Sequence, residues 1–114
     1  MSTIFNKKSF LLLQLSAFAL FSVNSHAAEK TIEATISGYE CGDNCYLEII
    51  DSDDGEMIGL CTAPLCEAWN MEAAMPEKYI GKKVRIVIGE AQQFDAEGNV
   101  MGTMESFTSI ELLD

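Results

Sequence analysis

Histidine is the scarcest chemistry-bearing residue in this chain. Its one copy, His26, lies within the first 27 residues, a stretch that reads as an export signal removed on secretion. Residues 28–114 hold none. Histidine is the usual general base near neutral pH and the commonest metal ligand. Its absence excludes Ser-His-Asp and Cys-His catalysis and any zinc or copper site that requires an imidazole. Basic residues are also few: after the signal, five face all eighteen acidic ones, a net charge of −13. Binding to phosphate backbones needs clustered positive charge, so nucleic acid is not expected as a partner. Long apolar runs are missing as well. The longest, residues 10–21, is broken by Gln14 and Ser16, whereas a membrane-spanning helix needs roughly 20 apolar residues. No stable membrane anchor is therefore expected. Repeats, low-complexity tracts and linkers are absent too.

The first 27 residues have the three parts of a secretory signal peptide. Lys7 and Lys8 supply the positive start, residues 10–21 the apolar centre, and Ser25-His26-Ala27 the small residues at −3 and −1. Cleavage is expected before Ala28, leaving one domain over residues 28–114. No cysteine stands near the cut to carry a lipid. The pattern suits the bacterial general secretory route and predicts the periplasm, or release to the medium. A domain this small is only marginally stabilised by its core, and four cysteines in an oxidising compartment are the expected reinforcement.

Strand-like alternation fills most of the remaining chain. In residues 31–39, Ile32, Ala34, Ile36 and Gly38 share one face, while Glu33, Thr35, Ser37 and Tyr39 share the other. Residues 45–51 set Cys45, Leu47 and Ile49 against Tyr46, Glu48 and Ile50. Asp53-Asp54-Gly55 reads as a tight hairpin turn, since Asp-Gly readily takes positive φ angles, and residues 56–61 return. The period then changes to helical around Leu65, Ala68, Trp69 and Glu72, with Pro64 suited to the first helical position and Pro76 as the stop. Trp69 is expected to be buried and to anchor this helix against one end of the sheet. Residues 82–94 form a long strand and 95–99 a polar loop. Residues 104–113 form the last strand, with an earlier start if Gly102 is a bulge.

Strand, strand, strand, helix, strand, strand, with Tyr79-Ile80-Gly81-Lys82-Lys83-Val84-Arg85-Ile86 leading into the fourth strand, resembles the small periplasmic OB-fold proteins of Gram-negative bacteria. The resemblance covers nearly all of residues 28–114. It implies a mainly β fold, a five-stranded OB-like Greek-key barrel with one helix between strands three and four. A different small α+β sheet packing is the structural competitor. Stress-associated and copper-carrying proteins share the layout, but the carriers bind through histidine as well as methionine, and only the methionines are available here.

Cys41 and Cys45, then Cys61 and Cys66, are expected to form two structural disulfides within one cluster. Pairing within each turn and pairing between the turns both remain open, because four cysteines allow three connectivities. Centring the hairpin on Asp54-Gly55 places Cys45 opposite Pro64. A four-thiolate zinc site is the metal alternative. Redox-active pairs favour the C-x-x-C spacing, which neither pair has. Asp51-Ser52-Asp53-Asp54-Gly55-Glu56 fails the EF-hand pattern, since glycine falls at position 5 and threonine at position 12. Met71, Met75, Met101 and Met104 could offer thioethers to Cu(I), yet methionine at such spacing more often fills core gaps. Lys78, Lys82, Lys83 and Arg85 read as a solvated edge.

OB-folds commonly bind ligands along the outer face of strands two and three, between the first loop and the fourth-to-fifth loop. The candidate binding face is therefore Tyr39, Tyr46, Glu48 and Met57, flanked by residues 41–44 and 95–99. No catalytic constellation is visible, and no cofactor or metal is expected. The expected function is an exported binding or interaction module whose partner is an envelope protein, a peptide, a glycan or a cation. Copper or zinc handling, and a secreted inhibitor or toxin-associated subunit, are the alternatives.

Overall fold

A computed structural model describes residues 29–114. The expected signal peptide and its cleavage site lie outside these residues. Five strands, β1 (Lys30–Cys41), β2 (Cys45–Asp51), β3 (Glu56–Cys61), β4 (Lys83–Phe94) and β5 (Val100–Leu112), close into one barrel in the order β1-β2-β3-β5-β4. Helix α1 (Cys66–Glu72) stands between β3 and β4. The fold is thus mainly β, an OB-like five-stranded barrel with its helix where the sequence period places it.

The core follows the alternation. Ala34, Ile36, Leu47, Ile49, Val84, Ile86 and Ile88 point inward and are buried. Phe107 from β5 completes this layer by lying over Gly59, where an added Cβ would fall 2.8 to 3.0 Å from three atoms of the ring. β1 does not keep one phase throughout. Its register with β2 shifts between Ile36 and Gly38. A bulge reverses the in–out phase of the residues beyond it, and Tyr39 consequently packs against the core.

The β2–β3 turn differs in detail from the sequence expectation. The β2–β3 hairpin is a five-residue turn built on the Asp51 carboxylate, whose Oδ1 accepts the N–H groups of Asp53 and Gly55, both at 2.9 Å. The positive φ, 64°, belongs to Asp54 and not to Gly55. At Gly55 a Cβ would lie 3.3 Å from both Asp51 carboxylate oxygens, so a side chain there would displace the carboxylate by a few tenths of an ångström. The longer turn sets the register: Tyr46 faces Leu60, which brings Cys45 level with Cys61 and not with Pro64.

Helix α1 starts later and stops earlier than the prolines suggest. Pro64 belongs to the preceding turn, where its carbonyl accepts the Glu67 N–H at 3.1 Å. The chain leaves the helix at Ala73, which takes a left-handed conformation (φ 56°) while the Ala74 N–H returns to Trp69 O at 3.0 Å. Pro76 instead opens a single 3-10 turn, Glu77–Tyr79. Between these ends Trp69, only 4% exposed, plugs one end of the barrel. Its ring meets Tyr39 edge-on at 5.8 Å and Tyr79 at 4.9 Å. Trp69 is buried as its spacing implies, and truncation of such a residue to alanine typically costs about 3–5 kcal/mol.

The corner into β4 is tied to β1. Gly81, with φ 88°, donates its N–H to Ile36 O at 2.8 Å, and the Ile36 N–H reaches Lys82 O at 3.0 Å. The apolar residue that packs inward at this corner is Tyr79, whereas Ile80 is 49% exposed.

Candidate functional site

All four cysteines are in local disulfides, Cys41–Cys45 and Cys61–Cys66. The first closes the β1–β2 turn and is partly exposed; the second joins the end of β3 to the start of α1 and is buried. Cys41 pairs directly with Cys45 across the two strands, and the second pair brackets one tight turn. No free thiol remains among the described residues, so the four-thiolate zinc arrangement does not form. The methionines do not converge on one element either. Met71 is 87% exposed on α1 and Met75 packs against the core, while Met101 and Met104 belong to β5. No group of three or more His, Cys, Asp or Glu side chains among the described residues could hold a metal ion.

Of the four residues placed on the candidate face, two point the other way. Tyr39 is turned inward by the bulge before Gly38. Its hydroxyl donates to Asn70 Oδ1 at 2.5 Å and lies 3.2 Å from Cys41 Sγ, and burial pushes its pKa up. Asn70 Nδ2 in turn donates to Cys61 O at 2.8 Å, so this tyrosine joins β1 to the helix and to the end of β3. Met57 pairs with the fully buried Ile49, and directly opposed residues share a face. It therefore packs against the core. Tyr46 and Glu48 do face outward.

Tyr46 is nevertheless engaged by the chain itself. Its hydroxyl accepts Gln93 Nε2 at 3.0 Å. One residue before Cys45, Asn44 uses its amide as a strand mimic: Nδ2 donates to Phe94 O at 2.8 Å while the Phe94 N–H donates to Oδ1 at 3.0 Å. The outer half of the β4–β5 hairpin thus forms an arm that reaches the β1–β2 turn. Leu60, opposite Tyr46 on the outward phase, is only 4% exposed. The arm's tip is built like the β2–β3 turn. Asp95 Oδ1 accepts the N–H groups of Asn99 at 2.8 Å and Glu97 at 2.9 Å, and Gly98 takes the positive φ of 87°. The bond from the Asn99 N–H does most to hold the Asp95 carboxyl below its ordinary pKa.

The part of the outer face left open lies farther along β2 and β3. A shallow depression of about 210 Å³ is lined by Ser37, Glu48, Ile50, Glu56 and Ile58 among others. Ile58 is 53% exposed, and Glu48 lies over Gly38, where a Cβ would come within 2.6 Å of Oε1. Both charges in this depression are negative. The opposite sign is elsewhere: Arg85 is held between Glu111 at 2.9 Å and Glu33 at 3.2 Å, across β5, β4 and β1. Lys78 sits 5.4 Å above the Tyr79 ring.

Ile50 had a signal in the sequence that the choice of face did not use. Ile50 is a large apolar residue at a position that the alternation assigns to solvent, whereas Ile58 is turned outward only by the observed register, which sets it opposite Glu48. Comparisons with known families, with curated proteins and with solved structures find no match to this chain.

Proposed function

We propose that this chain is an exported binding module of the cell envelope, resembling the small periplasmic OB-fold proteins, which captures a cationic ligand with apolar groups on the outer face of β2 and β3. One observation carries the reading: Ile50 and Ile58 present apolar surface directly beside Glu48 and Glu56 in an open depression. Exposed apolar residues rimmed by charge are a common mark of binding surfaces. A face with carboxylates only attracts positive charge and repels phosphate. Disulfide reinforcement of both strand ends suits an oxidising compartment.

Titrating the isotope-labelled exported protein with spermidine and with a short lysine- and valine-containing peptide tests this reading by amide chemical shifts. The expected changes centre on Glu48, Ile50, Glu56 and Ile58, are larger for the peptide, and weaken with added salt. Shifts confined to other strands, or none from either probe, would overturn it. Intact-mass measurement on secreted material should give a chain beginning at Ala28; retention of residues 1–27 would refute export.

A further inference from the structure

The barrel wall is incompletely paired at one seam. β3 and β5 run parallel and meet only where Leu60 faces Ser106 and Cys61 faces Phe107. Ladder bonds alternate in direction along a strand. The Asp51 N–H donates to Gly55 O at 2.9 Å, and counting from that pair turns Met57 and Gly59 toward β2 and Glu56 and Ile58 away from it. On β5, Phe107 O accepts the Thr62 N–H at 3.2 Å, which by the same alternation turns Thr103 toward the seam. The β3–β5 ladder does not extend to Glu56, Ile58 or Thr103, and among the described residues no turn or side-chain hydrogen bond reaches their backbone groups. The seam opens because the β4–β5 arm departs toward Asn44 and Tyr46 instead of continuing alongside β3.

An unpaired strand edge is a template for another strand. What distinguishes this one is the sign of its charges. Glu56 lies on the edge, Glu48 opposes Ile58, and Glu90 opposes Glu105 on the departing arm, with no lysine or arginine on β3 or β5. Like charges across a strand pair are destabilising, so a second copy of this acidic chain is repelled from the edge. Resting on the binding reading above, we infer that the open edge of β3 takes up, as an added strand, an extended polypeptide segment in which every second residue is in turn basic and apolar, so that both kinds fall on the one outer face. Its main chain bonds to Glu56 and Ile58, its apolar side chains lie on Ile58 and Ile50, and its cations meet Glu48 and Glu56. Strand addition to an exposed edge draws affinity from the main chain and specificity from alternate side chains.

The test uses a peptide with lysine and valine taking turns at every second position and threonine between them, the same peptide N-methylated at every second residue, and its counterpart with glutamate in place of lysine. With the unmodified basic peptide, amide hydrogen exchange at Glu56 and Ile58 should slow. The methylated peptide keeps charge and side chains but loses donors, and should bind about tenfold more weakly or worse. The acidic peptide should not bind, and the double variant E48K/E56K should reverse this preference while keeping the native amide spectrum. Equal binding of methylated and unmodified peptides, without slowed exchange at Ile58, overturns strand addition while leaving a cationic ligand on the face. Failure of every basic peptide and of spermidine overturns both readings.

Discussion

Gly59→Ala separates a packing explanation of the barrel from a propensity one, because the two predict opposite signs. Glycine within a strand is destabilising by roughly 0.5–1 kcal/mol relative to alanine on backbone grounds alone, so propensity predicts a gain. The structure predicts a loss. Gly59 faces Leu47 on the inward phase, and its missing Cβ would stand 2.8, 2.9 and 3.0 Å from Cζ, Cε1 and Cε2 of Phe107. That ring is fully buried, with no solvent side to swing toward. Relief requires an off-rotamer ring or a shift of β5, and overpacking of this kind typically costs about 1–3 kcal/mol. In a domain of this size each kcal/mol lowers Tm by roughly 4–8 °C. Urea unfolding monitored by Trp69 fluorescence gives the free energy, and scanning calorimetry gives the Tm. Pairing the substitution with Phe107→Leu makes room for the methyl, so the two changes together should cost less than their sum, as neighbouring sites do. Unchanged or raised stability in the single variant, or strict additivity in the pair, would falsify the claim that Phe107 rests on Gly59.

Ala73→Gly should stabilise the protein by about 1 kcal/mol, because a left-handed residue with a Cβ costs roughly that much, and urea unfolding would expose an error if the midpoint fell. Mild dithiol treatment followed by alkylation and mass mapping should label Cys41 and Cys45 before Cys61 and Cys66, since access governs exchange and the second pair is buried; the reverse order would contradict the burial pattern. Asp95 should titrate below the ordinary aspartate range by NMR, its pKa lowered chiefly by the Asn99 N–H. A depressed folded pKa means its contribution is present above the unfolded value and is lost as pH falls through the folded one. Asp95→Asn should therefore flatten the acid side of the stability profile, and an unaltered slope would count against that role.

Much of the architecture was legible because one physical rule, burial of one face of each strand, writes period two into the sequence. Residues 45–51 show it without interruption, and Leu47 and Ile49 are buried as that rule requires. Position in the chain gave the helix for the same reason, through the change of period around Trp69. What escaped were places where a single residue resets the pattern. The bulge at Ser37 leaves no composition signal, yet it turned Tyr39 from the solvent face to the helix. The hairpin centred on Asp54-Gly55 missed Asp51, whose carboxylate caps two N–H groups, lengthens the turn and moves the register by three residues. That register, not the alternation, decided that Met57 lies opposite Ile49. The left-handed Ala73 was hidden for a different reason, because a residue with a Cβ is not expected there and only the tertiary path demands it.

The same reasoning explains why the usual OB groove and the open surface of this barrel do not coincide. Ligand grooves of this fold lie between the first loop and the fourth-to-fifth loop, and here Asn44 joins those two loops by two hydrogen bonds. Satisfying the Phe94 main chain in that way draws the β4–β5 arm toward Tyr46 and shields Leu60. The arm cannot also run beside β3, so the pairing that it gains at the β1–β2 turn is withheld from Glu56 and Ile58. Occlusion at one end of the face and an unpaired edge at the other are thus two consequences of one contact. Loosening it by Asn44→Ala should raise amide exchange at Phe94, and a basic peptide that still protects Ile58 in that variant would place the binding edge outside the arm's control.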